Sequence, residues 1–296
     1  MQRLPPALAP GDVVAVVAPS SPFPREQLLQ GMAWLRLRYA LRVLPGLFAR
    51  EAYLAGADAR RSDELGRALT DPSVKAVFAA RGGYGAMRIL DAVRWDDLAR
   101  HPKWLVGFSD VTALHAMTWR AGLASVHGPN VTGLGSNVTP RVRASLIACL
   151  EDPGTGRAWR GLRVVHGGSA RGVVVGGNLS LLHGMAAAGL LAFPAGAILA
   201  IEDVTEAPYR VDRMLTSLRI GGHLAAVSGV VLGEFERCPA GADGRSVEEV
   251  LAERTADLGV PVLGGAPFGH GVRNEAFVLG STARIEGDAV IFEEAR

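Results

Sequence analysis

Short apolar runs alternate with longer helical stretches through the first half of the chain, and this alternation limits the fold more than any other feature. Strands are predicted for four apolar runs, at residues 13–18, 41–44, 74–79 and 104–108. Helices are predicted between and after them, at residues 25–39, 52–69, 85–93 and 110–120. Strands separated by helices form a mostly parallel sheet covered on both faces, so this half is predicted to adopt an α/β fold. Ligands bind such sheets beyond the carboxyl ends of their strands.

The second half has a different pattern, because glycine, proline and threonine interrupt the alternation from Gly128 onward. Its shorter apolar runs predict strands at 171–175, 197–201, 225–232, 278–279 and 290–292. Two helices are predicted among them, at 179–188 and 211–218, and a weaker one precedes them at 141–150. We therefore predict an N-terminal α/β domain over residues 1–130, a linker region over 131–165 and a β-rich domain over 166–296.

Composition argues against a disordered, collagen-like or coiled-coil protein. The 296 residues are 49% hydrophobic and 20% charged, which is typical of folded globular chains and long enough for two domains. The net charge of +2, without a long run of like charges, gives no reason to expect a nucleic-acid partner. No apolar stretch reaches the roughly 18 residues of a membrane helix, and the first residues do not resemble a secretory signal. We expect a cytoplasmic protein without membrane contact.

A candidate nucleophile lies where the fourth predicted strand meets a helix. Ser109 follows Gly107-Phe108, and the next residues have helical character, so its hydroxyl would lie at a sharp corner with the backbone N–H of Asp110 at the first helical turn. The corner resembles a nucleophile elbow, although Val111 replaces the second glycine of that motif. The alternative is that Ser109 merely caps the helix. His115 lies six residues further on and is interpreted as packing or support.

A glycine-rich loop, Arg81-Gly82-Gly83-Tyr84-Gly85, also follows a predicted strand and precedes a helix. Adjacent glycines let the main chain approach a ligand closely, and their N–H groups could bind a phosphate, a carboxylate or an oxyanion. The spacing does not match a phosphate-binding loop of nucleotide enzymes, and a plain tight turn is the alternative.

A serine nucleophile needs a base and a carboxylate that orients it. Among the seven histidines, His270 lies in a long glycine-rich loop and His127 follows a predicted strand end, where it could line a cleft. Glu202 is an acidic residue at the end of an apolar run, which is unexpected unless it has a partner. Asp203 and Glu206 compete with it for the same role. The spacing alone leaves these choices open.

Together these motifs resemble one family. RGGYG at 81–85, GFSD at 107–110, AIEDVTEAPYRVDRM at 200–214 and GHG at 269–271 are similar to the LD-carboxypeptidases, serine peptidases also called muramoyltetrapeptide carboxypeptidases. VAVVAPSSP, HGPN and GGNLSLL add support, and the resemblance extends from about residue 11 to about residue 284. It departs at LGSTARI, where a proline is expected before the glycine.

The resemblance implies a fold, an activity and a triad. It implies a first domain like that of the class I glutamine amidotransferases, a second domain built around a small β-barrel, and a homodimer. It implies a hydrolase that removes the terminal D-alanine from cytoplasmic murein tetrapeptide during peptidoglycan recycling, without a metal or cofactor. The catalytic triad falls on Ser109, Glu202 and His270.

The remaining site residues are predicted from this chemistry. The backbone N–H of Asp110, with that of Gly83 or Gly82, would form the oxyanion hole. The D-alanine carboxylate calls for a cation, for which a bidentate arginine is suited. Arg81 is the first candidate, with Tyr84 beside it. Two further arginines, Arg210 and Arg273, are alternatives.

Two other functions remain open at this stage. Some relatives in the family inactivate peptidyl-nucleotide antibiotics of the microcin C type with the same triad, although no inserted aromatic loop is evident here. The chain could also be a catalytically inactive module whose glycine loop binds an anion. A nucleotide-dependent oxidoreductase would need a dinucleotide-binding fingerprint, which the sequence lacks.

Overall fold

A computed structural model describes residues 2–135 and 138–294, so Ser136 and Asn137 of the predicted linker region lie outside the described residues. The described residues divide into two units. The N-terminal unit comprises residues 2–153 and 275–278, and the C-terminal unit comprises 154–274 and 279–294. Within these described ranges, the helices are too short or too polar to cross a bilayer.

The N-terminal unit is built on a six-stranded sheet. Its strands are β1 (Val13–Val17), β2 (Ala40–Val43), β3 (Val74–Ala79), β4 (Trp104–Gly107), β5 (Ser125–His127) and β12 (Phe277–Leu279). They lie in the order β12-β5-β4-β3-β1-β2, and the five strands β1 to β5 are parallel to their neighbours. All four residues of β4 are buried, which explains its uninterrupted apolar sequence. Because β3 and β4 are neighbouring parallel strands, their carboxyl ends lie side by side.

The helices of this unit follow the strands in sequence. They are α1 (Arg25–Arg36), α2 (Asp58–Thr70), α3 (Trp95–Arg100), α4 (Thr112–Arg120) and α5 (Pro140–Glu151), with 3-10 helices at Ala86–Ala92, Ser109–Val111 and Val131–Gly133. The amphipathic helix α1 buries Leu28, Met32 and Leu35, spaced by three or four residues. These side chains join Phe78 and Trp104 of the sheet in one apolar core.

The C-terminal unit contains an eight-stranded sheet. Its strands are β6 (Arg157–Trp159), β7 (Arg163–His166), β8 (Ser169–Asn178), β9 (Ala197–Val204), β10 (Val227–Glu236), β11 (Val262–Gly264), β13 (Thr282–Glu286) and β14 (Ala289–Phe292). They lie in the order β6-β14-β13-β8-β9-β10-β11-β7. The central strands β8 to β11 are parallel and the outer pairs are antiparallel. Three helices accompany them, α6 (Leu179–Ala187), α7 (Pro208–Ile220) and α8 (Val247–Ala256).

The predicted fold class is confirmed, because a parallel-sheet α/β unit is joined to a second unit with its own sheet. Several elements differ from the prediction. The helix expected over 52–69 begins only at Asp58, since residues 51–54 form a tight turn in which Ala52 has φ 50°. The helix expected over 85–93 is a 3-10 helix.

The second half of the chain contains one confirmed helix and several unpredicted elements. Helix α5 confirms the helix predicted at 141–150, and strands β6 and β7, which were not predicted, also begin within the region assigned to the linker. Helix α8 was missed, although Ser246 and Glu249 form a capping box at its start. The strand predicted at 278–279 is β12, which belongs to the six-stranded sheet of the N-terminal unit. Only long-range pairing decides that location, so no local pattern could reveal it.

Candidate active site

Ser109 lies at a strained corner after β4. Phe108 is extended, and Ser109 has φ 66°, in the left-handed region that L-residues other than glycine rarely adopt. Such a backbone costs on the order of 1–3 kcal/mol and persists at functional sites, where it aims a side chain. The cap position of the 3-10 helix is Phe108, so Ser109 is the first residue of that helix rather than its cap. The backbone geometry favours the nucleophile-elbow interpretation over the capping one.

The glycine-rich loop lies directly against this corner. A methyl group at Gly82 would come 2.8 Å from Cβ and 3.0 Å from Oγ of Ser109. Gly83 has φ 103°, and a Cβ there would meet Oγ of Ser21 at 2.5 Å. The Ser21 hydroxyl accepts from the N–H of Tyr84 at 3.0 Å. Glycine is therefore required at both positions to bring the loop main chain beside the Ser109 hydroxyl.

Two buried charged side chains fix the loop in this position. The Asp110 carboxylate, 2% exposed, accepts from the N–H of Ala86 at 2.7 Å. Arg61 of α2 is fully buried and donates to the carbonyl oxygen of Gly85 at 2.8 Å and to that of Pro19. Burial raises the pKa of the Asp110 carboxyl, and the hydrogen bonds that it accepts oppose that shift.

These two roles were missed by sequence reasoning. Only the main-chain N–H of Asp110 was predicted to act, whereas its side chain holds the loop. Arg61 is one of many arginines, and its residue type alone does not indicate that it is buried. The only available signal was its place on the apolar side of a predicted helix.

His115 supports the end of β4. Its Nε2 is 2.9 Å from the carbonyl oxygen of Gly107, and its Nδ1 is 2.9 Å from Oγ of Ser125. Burial lowers the pKa of His115 to about 4, so the ring is neutral near pH 7. Because a carbonyl only accepts, Nε2 carries the proton and Nδ1 accepts from Ser125. His115 thus holds the strand end that precedes Ser109, in agreement with a supporting role.

His127 does not line a cleft, which corrects the sequence-based expectation. The ring is buried on β5 and stacks on Phe277 with 4.9 Å between ring centroids. It belongs to the core of the N-terminal unit, at the position where β12 joins the sheet.

Glu202 and His270 form a hydrogen-bonded pair within the C-terminal unit. Nδ1 of His270 lies 2.6 Å from Oε2 of Glu202, a side chain that is fully buried on β9. An Nδ1–H that donates to the carboxylate leaves the lone pair of the neutral ring on Nε2. Burial raises the pKa of the Glu202 carboxyl, and the neighbouring His270 opposes that shift. This is the arrangement of an imidazole base and its orienting acid.

The two competing acids have other partners. Asp203 accepts from the side chain of Asn178 at 2.9 Å and from the backbone N–H and hydroxyl of Ser180, at the start of α6. Glu206 lies 3.7 Å from Arg210 in an ion pair. Of the three acids, Glu202 is therefore the one hydrogen-bonded to a histidine.

The candidate substrate-binding residues are in different environments. Arg210 pairs with Glu206, and Arg273 pairs with Glu234 at 2.9 Å. Arg81 donates to the carbonyl oxygen of Pro22 at 2.5 Å and lines an open cavity. Tyr84 is 53% exposed and packs edge to face on Tyr53. No carboxylate neutralises Arg81 among the described residues.

Metal ligation is not supported by the described side chains. Within residues 2–135 and 138–294, no three histidine, cysteine, aspartate or glutamate side chains are grouped as a metal site requires. The two cysteines, Cys149 and Cys238, are not joined in a disulfide.

Comparison with known proteins identifies two domain models. Residues 14–128 match the model of the LD-carboxypeptidase N-terminal domain, and residues 171–285 match that of the C-terminal domain. The chain is 37% identical over 252 residues to a murein tetrapeptide carboxypeptidase of Pseudomonas aeruginosa, covering 81% of each protein.

Solved structures share the fold. The crystal structure of a muramoyltetrapeptide carboxypeptidase from Oxalobacter formigenes has a TM-score of 0.86 at 28% identity, with 95% of this chain and 99% of that chain covered. MccF in complex with glutamyl sulfamoyl guanosine has a TM-score of 0.89 at 22% identity, with 98% of both chains covered. The second similarity concerns the fold alone.

Proposed function

The chain belongs to the LD-carboxypeptidase family and is a serine-type carboxypeptidase, and on this premise we propose that it removes the terminal D-alanine from murein tetrapeptide. The bond cleaved is the amide between an L-configured centre and D-alanine. The proposal assigns the reaction to peptidoglycan recycling in the cytoplasm and the active form to a homodimer. The observation that carries it is the strained Ser109 corner, packed against the glycine loop in a chain that also holds a buried Glu202 hydrogen-bonded to His270.

The proposed reaction begins with attack by Oγ of Ser109 on the carbonyl carbon. Nε2 of His270 takes the hydroxyl proton, and the Glu202 carboxylate orients the ring and stabilises the imidazolium. A tetrahedral intermediate forms with negative charge on the former carbonyl oxygen. The same proton then passes to the amide nitrogen, and D-alanine leaves with a free amino group. The step requires that Oγ and Nε2 come within hydrogen-bonding distance.

The proposed oxyanion hole uses backbone donors. The N–H of Asp110, with that of Gly83 or Gly82, is assigned to the developing oxyanion, and each such donor contributes about 3 kcal/mol to transition-state stabilisation. The tight packing of Gly82 on Ser109 supports this assignment. Water then attacks the acyl-enzyme, His270 acts again as base, and the tripeptide is released.

Arg81 is assigned to the carboxylate of the terminal D-alanine. Its exposure, its position one residue before Gly82 and the absence of a neutralising carboxylate among the described residues support it. Arg210 and Arg273 are each already paired with a glutamate, and this pairing makes them weaker candidates. Arg81→Ala is expected to raise the KM for tetrapeptide.

The direct test is incubation of the purified protein with murein tetrapeptide, followed by detection of tripeptide and free D-alanine. Turnover is expected for the wild-type protein, and losses of several orders of magnitude are expected for Ser109→Ala and His270→Ala. A peptidyl-sulfamoyl nucleotide serves as the comparison substrate. Preferred cleavage of that compound would replace the tetrapeptide proposal, and retained turnover in Ser109→Ala would contradict nucleophilic catalysis by this serine.

The proposed homodimer has a separate test. Light scattering coupled to size-exclusion chromatography is expected to give a mass of twice the 31.1 kDa chain. A monomeric mass in the fully active protein would refute the dimer without affecting the proposed chemistry.

A further inference from the structure

A cavity of about 410 Å³ opens on the N-terminal unit beside the glycine loop. It is bounded by the segment from Ser21 to Pro24, by Arg50, Ala52 and Tyr53, and by Arg81. A cavity of this volume is in the range of sites that bind small molecules, and it is much larger than one alanine residue. Part of the cavity therefore remains for another portion of a peptide.

The cavity adjoins the Ser109 corner through short contacts. Arg81 precedes Gly82, whose missing Cβ would lie 3.0 Å from Oγ of Ser109. On the cavity side, Ser21 donates its N–H to the carbonyl oxygen of Gly82 at 3.3 Å and accepts from the N–H of Tyr84. Ser21 thus both lines the cavity and supports the glycine loop.

The charge of the lining is entirely positive. Arg50 and Arg81 are both exposed cations, and no aspartate or glutamate lines the cavity. Arg50 has no ion-pair partner in the part of the chain that the structure describes. Arg25, the residue after Pro24, instead has an aromatic partner, because its guanidinium packs over Phe48 at 4.2 Å from the ring centroid. Two cations sharing one cavity favour a ligand with more than one anionic group.

The turn that directly follows Arg50, residues 51–54, is held in a strained shape. Glu51 and Leu54 exchange two backbone hydrogen bonds of 2.9 Å, and Ala52 between them has φ 50°. A non-glycine residue in this conformation needs support from its surroundings. Arg50, just before the turn, and Tyr53 within it line the cavity, and Tyr53 packs on Tyr84 of the glycine loop with 5.7 Å between ring centroids. Aromatic rings here offer an apolar wall to an aliphatic chain.

We propose that this cavity is a substrate subsite for a second carboxylate of the peptide, other than that of the terminal D-alanine, with Arg50 as its cationic partner. The inference rests on the proposed function, in which Arg81 binds the terminal carboxylate. Phe23 and Tyr53 pack against the aliphatic portion that separates the two carboxylates. The ligand class is a peptide that carries a side-chain or branch carboxylate at a position before the scissile amide.

The test compares two peptides that differ only in charge. One is the tetrapeptide with all carboxylates free, and the other carries carboxamides at every carboxylate except the terminal one. The wild-type protein is expected to cleave the free form with a kcat/KM higher by about tenfold or more, the size of a charge-assisted hydrogen bond. In Arg50→Gln that ratio falls to about one, and in Arg50→Glu it inverts. Arg67→Gln, an exposed arginine of α2, is the matched control and retains the wild-type ratio.

Direct binding separates failure of the subsite from failure of the proposed function. Calorimetry with Ser109→Ala measures the affinity for the two peptides without turnover, and Ser109→Ala/Arg50→Gln is compared with it. A preference for the free form that disappears in the double variant supports the subsite even if the wild-type protein releases no D-alanine. Equal affinities in Ser109→Ala, or a preference that survives Arg50→Gln, would overturn it.

Discussion

Gly82→Ala tests whether the glycine loop and the Ser109 corner act as one unit. Gly82 is not among the glycines with a left-handed backbone, so alanine can adopt its conformation and the test is one of space alone. The new methyl group would lie 2.8 Å from Cβ of Ser109 and 3.2 Å from the carbonyl oxygen of Phe108, where ordinary contact begins at 3.4 Å. The serine or the loop must therefore move by several tenths of an ångström.

The expected cost is larger for catalysis than for stability. A misplacement of about 1 Å in a reacting group can lower the rate about 100-fold, so a fall in kcat of about 10- to 100-fold is expected. Overpacking of this kind costs roughly 1–3 kcal/mol of unfolding free energy. KM should change less than kcat, because the methyl group meets the nucleophile rather than the cavity.

The assay is D-alanine release from murein tetrapeptide, together with urea unfolding of the same preparations. Gly66→Ala is the control, since no atom lies within 4 Å of a Cβ at that helical position. It is expected to leave kcat unchanged and to stabilise α2 by about 0.5–1 kcal/mol. A folded Gly82→Ala protein with wild-type kcat would refute the view that this close packing sets the position of the nucleophile.

Three other predictions follow from buried polar groups. Asp110→Asn weakens the hold on the Ala86 N–H, so it should lower kcat more than it raises KM and cost about 1–3 kcal/mol in urea unfolding; unchanged kinetics would contradict a positioning role. Glu202→Gln should lower kcat by about 10³–10⁴-fold, whereas Asp203→Asn should affect stability more than kcat; similar losses of kcat in both would refute the assignment of Glu202. Burial lowers the pKa of His115 from 6.5 to about 4, so between pH 7 and pH 5 this histidine takes up a proton in the unfolded chain but not in the folded one. Lowering the pH from 7 to 5 should therefore reduce the unfolding free energy by about 2 kcal/mol through His115. In His115→Gln this part of the pH dependence should vanish, and an unchanged slope would contradict the burial argument.

The sequence predicted the parts of the site that depend on local order. The change from an apolar strand to a helix at Ser109 follows from residues close together in the chain, and so does the glycine loop after β3. Glu202 was distinguishable because a carboxylate inside an apolar run needs a partner. The structure supplies that partner in His270, which is 68 residues away in the chain.

Other features depend on contacts that no local pattern encodes. The side chain of Asp110 could have pointed to solvent, and its burial follows from how the 3-10 helix packs on the loop before Ala86. Arg61 differs from exposed arginines only in what α2 packs against. Strand β12 lies beside β5 in the N-terminal sheet. Its apolar residues would equally suit a strand of the second sheet, so only the long-range pairing decides its place.

The most direct test of the central claim is labelling with a serine-directed phosphonate followed by peptide mass spectrometry. The account predicts one covalent adduct, on the peptide that contains Ser109, and labelling slowed by orders of magnitude in His270→Ala. An adduct on a different residue, or labelling of Ser109 at the same rate in His270→Ala, would contradict the proposed triad.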